Sequence, residues 1–325
     1  MQQSISRFQQ LIEERISAHT YGKRPPELYE PISYLMALGG KRLRPILTLL
    51  GYYLFRDEPS KIIDQALAME VFHNFTLMHD DIMDEAPLRR GESTVHEKWN
   101  SNTAILSGDV MLVKVYDLLL KTDKKYLSKA LKVFNKCATE VCEGQQLDMV
   151  FESRDDVGEE EYLEMIRLKT AVLLGTSLYL GALLAGADKG DRKALYDFGV
   201  NIGIGFQLKD DLLDVYANKE KFGKQVGGDI IANKKTFLLI KAKDLASGQN
   251  KTELAHWLEL DNFDAAAKVK AVTDIYDSLE IKKLTEAKMN EYFSCGFSSL
   301  RKLEAAMPRK AMLKEFTEAL IGRES

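Results

Sequence analysis

Apolar positions recur at intervals of three and four along most of the chain. Phe8, Leu11, Ile12 and Ile16 form one such stripe, and Leu112, Val113, Val115, Leu118 and Leu119 form another. Val272, Ile275, Tyr276 and Leu279 form a third. This is the period of an amphipathic helix, while the period-two alternation of a half-buried strand is hard to find. Proline sits early, at Pro25, Pro26, Pro31, Pro45, Pro59 and Pro87, and then not again until Pro308. A long proline-free interior rich in Leu, Ala, Lys and Glu favours helix. Turn signals are short: the Gly39-Gly40 pair, GADKGD at 186–191 and FGKQVGGD at 222–229. No low-complexity linker interrupts the pattern, and no repeat of solenoid length is visible. The chain is therefore expected to form a single all-α domain over residues 1–325, a large bundle of ten or more helices around a central cavity. Stretches apolar over most of their surface, such as Ser60–Met83, are expected at its centre.

The longest apolar run, AVLLGTSLYLGALLAGA from Ala171 to Ala187, falls short of the roughly 20 residues of a membrane span. With Gly175, Gly181 and Gly186 inside it, it reads as a buried core helix with close contacts rather than a span. The first residues, MQQSISRFQQLIEERI, lack the apolar centre of a signal peptide. The composition changes this picture little. Of 325 residues 45% are hydrophobic, and the net charge is -4. No basic stripe suggests nucleic acid. Cys137, Cys142 and Cys295 are too few and too poorly spaced for a disulfide framework or a zinc knuckle, and read as buried thiols in a reducing, cytoplasmic setting.

Candidate chemistry sits at the ends of two apolar runs. ALAMEVFHNFTLMH leads into Asp80-Asp81-Ile82-Met83-Asp84, and FGVNIGIGFQLK leads into Asp210-Asp211-Leu212-Leu213-Asp214. On a helix Asp80 and Asp84 share a face, with Asp81 turned by about 100°. One such cluster alone would as readily mark a solvated helix end as a site. Two suggest carboxylates facing one cavity. All-oxygen donors suit a hard cation, and Mg²⁺ divides its coordination among carboxylates, waters and substrate phosphates. Neither stretch has the spacing of a Ca²⁺ loop. Basic residues lie nearby in sequence: Lys41, Arg42 and Arg44 in GGKRLRP, Arg89 and Arg90 beyond the first cluster, and Lys169, Lys224, Lys234 and Lys235 near other turn signals. Guanidinium forks and ammonium groups suit phosphate oxygens. The EAPL segment is expected to hold the first acids apart from the arginine pair until substrate joins them.

GGKRLRP, HDDIMDEAPLRRG, Lys169-Thr170, Phe206-Gln207, and DDLLD followed by KFGKQVGGD together resemble the all-trans isoprenyl diphosphate synthases, over about Gly39 to Thr236. The remainder, from Phe237 to Ser325, carries no recognisable motif. The resemblance implies an isoprenoid-synthase fold and condensation of an allylic diphosphate with isopentenyl diphosphate. It implies Mg²⁺, three ions per site with Mn²⁺ as a substitute, and a homodimer. Asp80, Asp84 and Asp210 would be the principal metal ligands, with Asp81, Asp211 and Asp214 completing the metal set and Asp81 and Asp214 acting through water or by supporting the direct ligands. Arg89, Lys169, Lys224 and Lys234 would hold the allylic diphosphate, and Lys41, Arg44, His73 and Arg90 would hold isopentenyl diphosphate. The Lys169 carbonyl, the Thr170 hydroxyl and the Gln207 amide would face the allylic cation.

Product length is expected to follow from the helix before Asp80. Phe75 lies about 7.5 Å and Phe72 about 12 Å upstream along a helix axis, and either ring could form the floor of an apolar tunnel. In the resembled family an aromatic at the Phe75 position marks short products. The non-aromatic Thr76 leans towards geranylgeranyl diphosphate, then farnesyl diphosphate, then a longer chain. A terpene cyclase, a non-catalytic partner subunit and a helical scaffold are the rival classes. The second aspartate motif argues against the cyclase, the intactness of both motifs against the partner subunit, and the adjacent bases against the scaffold. His79 and His96 receive no role.

Overall fold

The computed structural model describes residues 2–217 and 227–322. The expected all-α architecture is what it shows, with more than ten helices among the described residues. In chain order they are α1 (Gln2–Ala18), α2 (Pro26–Ala37), α3 (Leu43–Tyr53), α4 (Ile63–Met83), α5 (Val95–Lys98), α6 (Ser101–Leu119), α7 (Lys124–Glu152), α8 (Glu159–Ile166), α9 (Val172–Ala185) and α10 (Lys189–Tyr216). The short α11 (Gly228–Ile231) precedes α12 (Phe237–Leu245), α13 (Gly248–Glu259), α14 (Ala265–Ser278), α15 (Ile281–Arg301) and α16 (Met307–Ile321). The chain groups into two compact units. One comprises Met1–Cys137, Leu174–Tyr196 and Lys302–Phe316, and the other Ala138–Leu173, Asp197–Arg301 and Thr317–Ser325.

In the first unit α4 lies in the core. Leu67, Met69, Val71, Phe72 and Met78, on different sides of the helix, are all buried. It packs against α1, α3 and α6. Of the α1 stripe, Phe8, Ile12 and Ile16 are buried as expected. On α6, Val115, Leu118 and Leu119 are buried, but Val113 is 58% exposed. Helices α3 and α9 meet backbone to backbone. A Cβ on Gly181 would lie 2.0 Å from the Thr48 carbonyl oxygen, and one on Gly51 would lie 2.4 Å from that of Leu178. The glycine placed in the apolar run thus serves the close contact that its position implied.

The second unit fills a core with Leu212, Val215, Ile230, Leu238, Leu239, Ala242, Leu254, Val272, Ile275, Tyr276 and Ile281. Most of the stretch without a motif is therefore the scaffold on which the end of α10 rests. Between α8 and α9, Arg167–Ala171 form a π-helical segment, so Lys169 sits within a continuous helical run and not beside a turn. The run Glu159–Ala185 is long and apolar enough to cross a membrane, but 78% of its apolar window is buried inside the protein. This is the signature of a core helix.

Two expectations need correction. Strand is present: Leu88–Arg89 (β1) and Glu92–Ser93 (β2) pair antiparallel. Two residues per strand are too few to show alternation in a sequence. Cys137 is buried, but Cys142 and Cys295 lie on exposed helix faces.

Replacing Gly181 by Ala should destabilise the protein by about 1–3 kcal/mol, because neither carbonyl-bearing backbone can yield without shifting a helix. Urea denaturation of the variant against the parent measures this.

Candidate active site

The first cluster closes α4. Asp84 caps the helix, its N–H donating to the Asp80 carbonyl at 2.8 Å. Asp80 is half-buried and Asp84 exposed, whereas Asp81 is buried. This is the expected 100° offset, and it gives the three carboxylates different work. Arg89 donates to both Asp81 oxygens, with Nε at 2.8 and 2.7 Å and a terminal nitrogen at 2.6 Å. The first acids and the arginine pair are therefore already joined, contrary to the expectation that EAPL keeps them apart. Asp81 faces the Arg89 guanidinium.

The hairpin delivers both arginines. Leu88 pairs with Ser93 and Arg89 with Glu92, leaving Arg90-Gly91 as a two-residue turn. Both turn residues have positive φ, 56° and 85°, as a type I′ turn requires. Arg90 reaches the Gly39 carbonyl. Gly39 and Gly40 both have positive φ, 76° and 128°, which accounts for the glycine pair of GGKRLRP, and the Arg90 guanidinium lies against Gly40. Within that segment Arg42 turns inward in the left-handed region (φ 46°), donating to Glu13, Glu70 and the Met36 carbonyl. Lys41 is exposed and Arg44 half-buried on either side of it. His73 is half-buried, and its pKa falls well below the usual value because of burial and then the charges of Arg44, Arg90, Arg89 and Arg42. A neutral imidazole among arginines marks a region of strong positive potential. The structure thus groups His73, Arg44, Arg89 and Arg90.

Phe75 is buried, with ring centroids 5.7 Å from Phe72 and 4.8 Å from His79. Phe72 is fully buried against Phe134 at 5.1 Å and belongs to the core. His79 packs on Phe75 and over Gly108.

The second cluster, on α10, repeats the division of labour. Asp210 is exposed, Asp214 half-buried and Asp211 buried. Asp211 accepts from the Tyr162 hydroxyl and from the Gln207 side-chain amide, the latter at 3.2 Å. Its two carboxylate oxygens are thereby each given a protein donor. Burial pushes its pKa up to about 7. Gln207 in turn accepts from the Thr170 hydroxyl at 3.3 Å. Lys169 is paired with Asp148 at 2.5 Å. Asp214 accepts from the Asp229 backbone N–H at 2.9 Å and so caps α11. Burial raises the Asp229 pKa to about 6. The Lys234 charge opposes this rise, and the charges of Asp214, Asp148 and Asp210 add to it. Lys234 is exposed. Lys224 lies outside the described residues.

Sequence reasoning missed Tyr162, Asp148 and Asp229. The signal for Asp148 was Gly144, a glycine inside α7. A Cβ there would lie 2.2 Å from the Lys169 backbone nitrogen, so the glycine admits the π segment and brings Lys169 within reach of a carboxylate one turn further on. Tyr162 and Asp229 carry no such mark.

Among the described residues no group of three or more His, Cys, Asp or Glu side chains converges as a ready-made ion cage. The outward carboxylates of Asp80, Asp84 and Asp210 are nevertheless the donors suited to Mg²⁺, an ion held by one or two carboxylates while it keeps waters and binds substrate phosphate.

A family model described as polyprenyl synthetase matches residues 25–276. The chain belongs to the polyprenyl synthetase family. Its sequence is 38% identical to a geranylgeranyl pyrophosphate synthase of Geoglobus acetivorans over 97% of this chain and 96% of that protein. It is 42% identical to a geranylgeranyl diphosphate synthase of Sulfolobus acidocaldarius over 70% of each. A crystal structure of a geranylgeranyl pyrophosphate synthase superposes with a TM-score of 0.94 at 42% identity, covering 99% of both chains. As a polyprenyl synthetase of this kind, the protein is a trans-prenyltransferase.

Asp229 takes up its proton far above the ordinary carboxylate range, so the folded state binds more protons than the unfolded chain between about pH 4 and pH 6. Stability should accordingly fall as pH rises through that window. Replacing Asp229 by Asn should raise the melting temperature at pH 8 more than at pH 4, as differential scanning calorimetry without divalent cations would show.

Proposed function

We propose that the protein condenses an allylic diphosphate with isopentenyl diphosphate to give a short-chain all-trans prenyl diphosphate, with geranylgeranyl diphosphate as the product. The observation that carries this reading is the doubled motif. In each copy the second aspartate is buried and tied to a protein donor, Arg89 or Tyr162, while the first and last keep some exposure to solvent, and basic residues follow each motif in sequence. In this reading residues 1–325 act as one catalytic domain.

Asp80, Asp84 and Asp210 would hold Mg²⁺, with Asp214 acting through water. Three ions per site, replaceable by Mn²⁺, would offset the charge that develops on the departing diphosphate. Arg89, Lys169, Lys224 and Lys234 bind and orient the allylic diphosphate. Lys169 and Arg89 exchange their present carboxylate partners for phosphate as they do so. Lys41, Arg44, His73 and Arg90 bind isopentenyl diphosphate, whose charge the neutral His73 meets as a hydrogen-bond donor. The Lys169 carbonyl, Thr170 and Gln207 face the allylic cation. The isopentenyl double bond attacks it, and a proton leaves to the released diphosphate. Apolar walls, Phe75 among them, keep water from capturing the cation.

Product length rests on Phe75, buried one helical turn or more before Asp80, with Thr76 beside it. Farnesyl diphosphate is the second reading, followed by a longer chain. A homodimer is part of the proposal. Its support is the row of exposed apolar residues along α6 and its C-terminal cap: Ile105, Leu106, Val113 and the cap residue Leu120 are 43%, 58%, 58% and 57% exposed. A cytoplasmic location is supported by three cysteines that stand free of disulfides.

Incubation with Mg²⁺, labelled isopentenyl diphosphate and dimethylallyl, geranyl or farnesyl diphosphate should yield a twenty-carbon product. No elongation with any primer overturns the proposal. Replacing Asp80 or Asp210 by Asn should each lower turnover by about a hundredfold or more. Phe75→Ala should lengthen the product on chain-length chromatography, and an unchanged length removes Phe75 as the floor.

A further inference from the structure

We propose that Tyr162 is a positioning residue for prenyl transfer. Its phenol fixes Asp211, Asp211 fixes the amide of Gln207, and the carbonyl end of that amide is thereby presented to the allylic cation. The inference rests on the reading under Proposed function and adds a residue to it.

A side-chain amide has a donor end and an acceptor end of nearly equal size. Rotating it by half a turn reverses the sign of its interaction with a nearby cation at little steric cost. Something outside the amide must choose. Here the choice is made by a carboxylate. The Gln207 amide nitrogen donates to Asp211 Oδ1 at 3.2 Å, so the NH₂ end of the amide faces the carboxylate. The Gln207 oxygen is left on the side of the Thr170 hydroxyl, 3.3 Å away. The arrangement holds only while the carboxylate itself is held. Asp211 lies four residues after Gln207 on the same face of α10 and is buried. Its other oxygen accepts from the Tyr162 hydroxyl, the one donor it has among the described residues. Tyr162 is buried too, at the start of the helical run that leads through the π segment to Lys169 and Thr170. One hydroxyl thus links both helices that supply groups facing the cation. Without it a buried carboxylate oxygen is left unsatisfied, the carboxylate turns to find another donor, and Gln207 loses the partner that orients it.

The test is Tyr162→Phe, which keeps the ring and removes the hydroxyl. Wild-type elongation is measured first. If the wild type elongates no primer, the prenyl-transfer reading falls and this inference with it. If the wild type turns over and Tyr162→Phe stays within threefold of it, the inference alone falls. The expected result is a kcat about 10- to 100-fold lower, with KM for both diphosphates within about twofold. Calorimetry should give a Kd for inorganic pyrophosphate with Mg²⁺ within about twofold of the wild type, since the diphosphate is held by other groups. The double variant Tyr162→Phe/Gln207→Leu should be no slower than Gln207→Leu alone, because both act through one amide. A loss carried by KM or by pyrophosphate affinity, or two losses that multiply in the double variant, overturns the inference. If Tyr162→Phe melts below the assay temperature, Asp211→Asn paired with Gln207→Leu takes its place with the same non-additive expectation.

Discussion

A carboxylate taken out of water must be given a donor, and the two aspartate motifs are organised around that requirement. In each, the middle acid of the cluster, Asp81 or Asp211, is buried and answered by one strong partner, Arg89 or Tyr162. Satisfying it fixes the end of the helix that carries it, and the flanking acids keep some exposure to solvent. The inward acids contribute order and the outward ones contribute charge. The desolvation cost of the first is met by an ion pair, and that of the second by two neutral donors. This difference leaves Asp211 with a raised proton affinity.

The basic groups are arranged by backbone as much as by charge. Arg42 occupies the left-handed region so that its guanidinium can meet the buried Glu70, and this inward turn leaves its neighbours Lys41 and Arg44 to the ligand side. Arg90 sits in a turn whose geometry few non-glycine residues adopt, with its guanidinium laid on Gly39 and Gly40. Between them His73 is kept neutral by burial and by four arginines, and is able to donate without adding to the repulsion.

Much of this was legible from spacing. The helical class followed from the three- and four-residue recurrence and the missing prolines. The close packing of Gly181 followed from a small residue inside an apolar run. The acids and bases that define the family stand in contiguous, highly specific segments. What spacing did not reveal were partners brought together from afar. Tyr162 meets Asp211 across 49 positions and Lys169 meets Asp148 across 21, with nothing local to either residue predicting the other. The hairpin was missed because its turn residue is an arginine and its strands are too short to alternate. The exposure of Cys142 and Cys295 was missed because a thiol's composition class says nothing of which helix face it occupies.

The π segment at Arg167–Ala171 has an implication for how such proteins can diverge. A π turn holds one residue more than the α-helix it interrupts, and here it does so without breaking the helix. Removing one residue there would restore a regular helix and turn everything on its N-terminal side by about 100° relative to Thr170. Tyr162 would then point away from Asp211, although neither residue had changed. The segment is a phase-setting element. It allows two halves of one helix to answer to different neighbours, and it makes this short stretch intolerant of length variation where exposed loops are not.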